Sequence, residues 1–217
     1  MVVLIGGCAL RVDAPTSTTN HSGSPSTTSV ATSDTRKTLE ALTVKGKAPK
    51  TGYSRSQYGR AWTDQGTVGF SGNGCLQNDD VLQRQLSDVV LRRGSQCIVE
   101  SGVLNPDPYT GRVIPYRRGA RPIAISVDHI VPLRLSWQTG AQQWDLKQRI
   151  NFGTDPDNLV VVSSRANSQK SDSDPASWLP PKNRCNYVTR FVAVKAKYHL
   201  WVTRAERDAI LRVLDNC

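Results

Sequence analysis

The sequence predicts an α+β fold, a small antiparallel sheet flanked by helices, with helix exceeding strand. Three observations predict it. Two short apolar runs, residues 123–127 and 159–162, read as strands. Turn chemistry at 106–111 separates two further strand-like segments, 97–104 and 112–116. The C-terminal part, by contrast, carries apolar residues at helical spacing, with Phe191, Val192, Val194 and Tyr198 in one stretch and Ile210, Leu211 and Leu214 in the next.

Taken in order, residues 1–8 are apolar but too short to cross a bilayer, which needs roughly 18 apolar residues. They lack the basic start of a secretory signal and read as a signal remnant. Leu4-Ile5-Gly6-Gly7-Cys8 resembles a lipobox, in which Cys8 becomes lipidated; the other reading is an ordinary signal fragment with a chance cysteine. Residues 9–37 form a Ser/Thr-rich linker that lacks the apolar surface to offset its ordering entropy, and it is expected to be disordered. His21 lies within it. Residues 38–217 then make one domain.

That domain opens on an apolar cluster at 39–44. Lys45, Lys47, Lys50, Arg55 and Arg60 follow, interleaved with Tyr53, Tyr58 and Trp62. This is either a solvated face or a nucleic-acid-facing arm. Asn73-Gly74 marks a turn. A helix is expected from Asn78, with Asp79 and Asp80 in its first turn and Val81, Leu82, Leu86, Val89 and Val90 on one face, closing at Arg92-Arg93-Gly94. The insertion at 134–156 looks helical, with Trp137, Trp144 and Leu146 for the core and Lys147 and Arg149 on a basic face. A short helix is expected over 165–170. In the helix at 187–198, Arg190, Lys195 and Lys197 are expected on the surface. His199 sits at the following turn. Thr203 and Glu206 then form a capping box for the last helix.

Lys and Arg number 28 against 18 Asp and Glu, a net charge of +10, with pI near 9.7. Such a balance favours a polyanionic partner: nucleic acid, an anionic membrane surface or acidic cell-wall polymers. Without Cys8, four cysteines remain, an even count that suggests two disulfides in an exported chain. Four cysteines permit three pairings. Cys75 with Cys97 and Cys185 with Cys217 are expected, because each pair bounds a compact segment. No Cys-x-x-Cys spacing supports a zinc site.

Three motifs carry chemistry. Asp128-His129-Ile130-Val131-Pro132 ends the first apolar run, where a strand end can present a base and a metal ligand rigidly. Asp155-Pro156-Asp157-Asn158-Leu159 opens the second run. Asn167-Ser168-Gln169-Lys170-Ser171-Asp172 falls on the short helix. Strand, strand and helix with Asp-His, Asn and Asn at these places resemble the HNH endonucleases, also called His-Me finger or ββα-metal nucleases. Asp107-Pro108-Tyr109-Thr110-Gly111, Trp137 with Gly140, Ala141 and Trp144, and Trp178-Leu179-Pro180-Pro181 resemble a narrower group. That group is the secreted bacterial HNH proteins related to the C-terminal domain of GmrSD restriction endonucleases. The likeness runs from about residue 39 to 217.

The resemblance implies a ββα-metal core and a metal-dependent endonuclease that hydrolyses phosphodiester bonds, of DNA before RNA, with low sequence specificity. His129 would be the general base. Asn158 would hold its loop in place, and Asp128 and Asn167 would bind one divalent ion. A carboxylate plus an amide oxygen is hard-ligand chemistry suited to Mg²⁺ or Mn²⁺. Lys170 and Arg165 are candidate phosphate contacts. The expected location is outside the cell, secreted or lipid-anchored at the outer face of a bacterial membrane. The competing reading is a nucleic-acid or cell-surface binding module that keeps the fold without turnover.

Overall fold

The structure, a computed structural model, describes residues 1–3 and 27–217. The lipobox-like stretch with Cys8, and the linker up to residue 26, lie outside the described residues. The first described element corrects the linker boundary. Helix α1 runs Thr27–Ala41, so residues 27–37 are helical and not part of a disordered tether. Poor helix propensity of Ser and Thr is overridden by docking: α1 packs along α6 (Arg184–Lys197), burying Thr35 and Leu39, and Arg36 pairs with Asp215 at 2.8 Å.

Helix α2 (Gln77–Gln85) stops earlier than expected, and residues 87–91 form strand β1 (Ser87–Leu91). Val89 and Val90 therefore belong to a sheet, not to the helix face. The Gln85 side chain explains the stop. Its amide donates to the Leu159 carbonyl and accepts from the Val161 N–H, so α2 ends where it is stitched to another strand. The β-branched pair then pairs antiparallel with β2 (Val99–Leu104), which in turn pairs with β3 (Ile114–Arg117).

Strand β4 (Ile125–His129) leads through α3 (Leu133–Gln138) and α4 (Leu146–Thr154) to β5 (Leu159–Ser163). β4 and β5 form a two-stranded antiparallel ribbon, with Ile125 opposite Ser163 and His129 opposite Leu159. Leu159 and Val161 join an apolar cluster with Val81, Leu82, Leu86 and Val99; Val160 and Val162 join a larger one with Phe191, Val192 and Ile210. Apolar neighbours on both faces explain why β5 reads as a continuous apolar run instead of an alternation. Helix α5 (Ser164–Lys170) follows directly, the Ser163 side chain accepting from the Ala166 N–H at its start.

The C-terminal pair, α6 and α7 (Arg204–Leu214), closes the fold. The Leu200 N–H bonds to the Lys195 carbonyl and the His199 N–H to that of Ala196, a Schellman end with His199 at φ +52°. Thr203 and Glu206 make the expected capping box. Lys195 departs from expectation, since it is fully buried. Its ammonium reaches Glu206 at 3.1 Å and the Trp201 carbonyl at 2.8 Å, so the capping carboxylate of one helix neutralises a lysine of the other. Disulfides join Cys75 to Cys97, beside α2, and Cys185 to Cys217, across the α6–α7 pair. Across the described residues helix exceeds strand, and no described helix is long and apolar enough to cross a membrane.

Candidate active site

Alternation along β4 puts Ser126 and Asp128 on one face and Val127 and His129 on the other. Helix α5 lies over the first face. Asn167 donates its side-chain N–H to the Ser126 hydroxyl at 2.9 Å. One turn on, the Lys170 ammonium reaches the Asp128 carboxylate at 3.0 Å and the His129 carbonyl at 2.8 Å. The Tyr109 hydroxyl donates to Asp128 Oδ2 at 2.6 Å. Tyr109 is aimed there by its own turn, in which the Asp107 carboxylate accepts from the Tyr109 N–H and the Thr110 hydroxyl. Burial pushes the Asp128 carboxyl up, while Lys170 and the Tyr109 hydroxyl pull it back down. Burial also pushes the Tyr109 phenol up, and the Asp128 charge adds to this, so the hydroxyl keeps its proton and donates.

On the other face, His129 Nε2 lies 2.9 Å from the Gly153 carbonyl, in the last turn of α4. A carbonyl only accepts, so Nε2 carries the proton and Nδ1 holds the free lone pair. Asn158, fully buried, ties the strand end down. Its Oδ1 accepts from the Val131 N–H at 2.9 Å, its amide donates to the Val131 and Phe152 carbonyls, and its own carbonyl accepts from the Ile130 N–H. The Trp62 indole stacks on the imidazole, with centroids 5.5 Å apart and planes 8° from parallel. The imidazole faces a cavity of about 290 Å³ lined also by Arg55, Tyr58, Arg60, Trp62 and Gly153. Burial lowers the His129 pKa from 6.5 to about 4; the Arg55 and Lys170 charges add to this, against the Gly153 hydrogen bond. The imidazole is therefore neutral throughout the neutral range, with its Nδ1 lone pair unprotonated.

The structure brings together Asp128, Asn167 and Lys170 on one face of β4, and His129 with Asn158 at its end. Lys170 corrects an expectation. It is fully buried beneath Asp128, so it braces the strand end and does not face solvent as a phosphate contact. Arg165 is exposed on the first turn of α5, with no carboxylate partner among the described residues. Four contributors escaped sequence reasoning. The Gly153 carbonyl leaves no side-chain signal. Tyr109 lay within the turn chemistry at 106–111, and Trp62 belonged to an arm whose role stayed open. Ser126 could have been found from the two-residue period of β4.

A divalent ion at this site would need hard oxygen donors. Asn167 Oδ1 accepts no hydrogen bond from the described residues, and Asp128 Oδ1 accepts from Lys170 at 3.2 Å. Two hard oxygen donors thus sit on neighbouring parts of one strand–helix face, which fits Mg²⁺ or Mn²⁺ in chemistry, with Asp128 shared between the ion and Lys170. The described residues contain no group of three His, Cys, Asp or Glu that could hold an ion without water or substrate.

Residues 76–213 match the family model for the C-terminal domain of GmrSD restriction endonucleases. The chain is 33% identical over 183 residues to a protein of Arthroderma benhamiae described as an uncharacterized secreted protein, covering 82% of each. That relative is fungal, so the likeness is not confined to bacteria. No solved structure matches the chain significantly.

Proposed function

The chain belongs to the family of the GmrSD restriction endonuclease C-terminal domain, and on that premise we propose that it is an exported, metal-dependent HNH endonuclease. The observation that carries the reading is the contact of His129 Nε2 with the Gly153 carbonyl. With Nε2–H held by the Gly153 carbonyl, Nδ1 is the basic nitrogen at a rigid strand end. It takes a proton from water, the resulting hydroxide attacks phosphorus, and the bond to the 3′ oxygen breaks in line. Asn158 holds the base in place, a positioning role, through both ends of the loop it ties. Asp128 and Asn167 would hold one Mg²⁺ or Mn²⁺, which supplies positive charge where the phosphate becomes more negative. Arg165 is available as a phosphate contact. DNA is proposed before RNA because the family is named for restriction endonucleases, enzymes that cut DNA. Export is supported by the two disulfides and by the secreted relative; a lipid anchor at Cys8 belongs to the same proposal.

One observation favours the second reading, a binding module without turnover: Asp128 already pairs with Lys170 and Tyr109. Purified protein incubated with plasmid DNA, single-stranded DNA and RNA, in Mg²⁺, Mn²⁺ or EDTA, decides between them. Cleavage is expected only with metal, and His129→Ala is expected to reduce it by about 10² or more. Absence of metal-dependent cleavage on every substrate, or wild-type rates from His129→Ala, would leave the binding module.

A further inference from the structure

Trp62 lines two cavities. The first is the His129 cavity, with Arg55 and Arg60 at its mouth. The second runs along the outer side of the β3–β4 connection, past Arg117, Arg118, Arg121 and Ser126. The two adjoin at Trp62 and together make one groove that follows the chain from Ile123 along β4 to His129.

The charge along this groove is unbalanced. Arg55, Arg60, Arg117 and Arg121 are exposed, and none has a carboxylate partner among the described residues. The nearby carboxylates are already engaged: Asp79 pairs with Arg118, and Asp64 accepts the Gly72 and Gly74 N–H groups. Trp62 itself is held in the left-handed region at φ +56°, an uncommon conformation for a bulky residue. Its ring lies flat on His129 and is half-buried, so the imidazole buttresses an aromatic surface in the middle of a row of free guanidinium groups.

We propose that this groove binds a single strand of nucleic acid, with phosphates on Arg55, Arg60, Arg117 and Arg121 and an unpaired base stacked on Trp62. The proposal rests on the nuclease reading and adds the substrate form. Aromatic stacking needs an exposed base face, which a paired duplex does not offer, and alternating cations with an aromatic platform is the chemistry of single-strand tracks. A base on Trp62 sets the adjoining phosphate beside His129.

Binding is measured with the wild-type protein in EDTA, using a fluorescein-labelled oligothymidylate and a labelled duplex of the same length, with gels confirming that neither is cut. Arg117→Ala/Arg121→Ala is expected to weaken single-strand binding about tenfold and to reduce the slope of log affinity against log salt by about 1.4, two contacts at roughly 0.7 each. Trp62→Ala is expected to weaken single-strand binding about tenfold and duplex binding little, with Trp62→Phe retaining most of it. The double variant Arg204→Ala/Arg212→Ala, on α7, removes the same charge elsewhere and should bind as wild type. Unchanged binding by Arg117→Ala/Arg121→Ala, or an equal loss in the α7 control, overturns the groove. Tighter duplex binding that ignores Trp62 overturns the single-strand assignment. A parallel cleavage assay in Mn²⁺ separates the two readings. Cleavage with unaltered Arg117→Ala/Arg121→Ala binding removes the groove and keeps the nuclease. Groove-dependent binding with no cleavage by wild type keeps the groove and removes the nuclease.

Discussion

At the residue scale, two side chains of the Asp128-His129 pair point to opposite faces of one strand, and each is under a different electrostatic regime. His129 is buried neutral. Its pKa of about 4 lies below the ordinary 6.5, so the unfolded chain takes up a proton before the folded one does. The folded state therefore loses stability as pH falls from about 6.5 to about 4, on the order of 3 kcal/mol in all, and loses no more from this group below that. Urea unfolding in chelator at several pH values, compared with His129→Asn, should reveal that component in the wild type alone. Equal pH dependence in the two proteins would contradict it. Asp128 depends on Lys170 instead. Lys170→Ala leaves a buried carboxylate without its cation, and destabilisation of about 3–5 kcal/mol is expected, checked by the same unfolding experiment. Asp128→Asn/Lys170→Met should recover part of it. A loss below about 1 kcal/mol from Lys170→Ala would mean that the pair is not maintained in solution.

At the element scale, what could be read from the sequence followed the periodic signals. The β4–β5 ribbon, the short α5 and the capped α7 were legible because apolar runs and a Thr203–Glu206 box declare themselves locally. The motif residues Asp128, His129, Asn158 and Asn167 were legible as neighbours around one strand end. The boundary at Gln85 was not, because Val89 and Val90 fit a helix face and the stop depends on a side chain bonding to a strand 74 residues away. Nor was the buried state of Lys170 and Lys195 legible, since each is set by a carboxylate brought in by tertiary packing. Helix α1 was hidden by composition for the same reason: Thr35 and Leu39 matter only once α6 is beside them. Removing residues 1–37 should thus lower Tm more than removing 1–26, by about 2–4 °C for each kcal/mol lost. Differential scanning calorimetry of the two truncations checks this, and identical Tm values would return α1 to the linker. Cys185→Ser/Cys217→Ser, which frees the ends of α6 and α7, should cost roughly 2–4 kcal/mol.

At the scale of the whole molecule, two apolar clusters share β5, so the ribbon that carries the site is clamped from both sides while its end stays open to the groove. In the proposed groove, part of the net charge of +10 sits as Arg55 and Arg60 in the His129 cavity and Arg117 and Arg121 in the adjoining one. Contact through phosphates and one stacking ring carries little sequence information. Four phosphate contacts to a single strand imply a slope of log affinity against log salt of about −3, so raising salt from about 50 to 200 mM should weaken binding by roughly fiftyfold. Digestion of a long single strand should give a smear without preferred bands, and its rate at limiting substrate should fall along the same salt curve. Discrete bands, or cleavage indifferent to salt, would require base-specific contacts from a part of the molecule away from this groove.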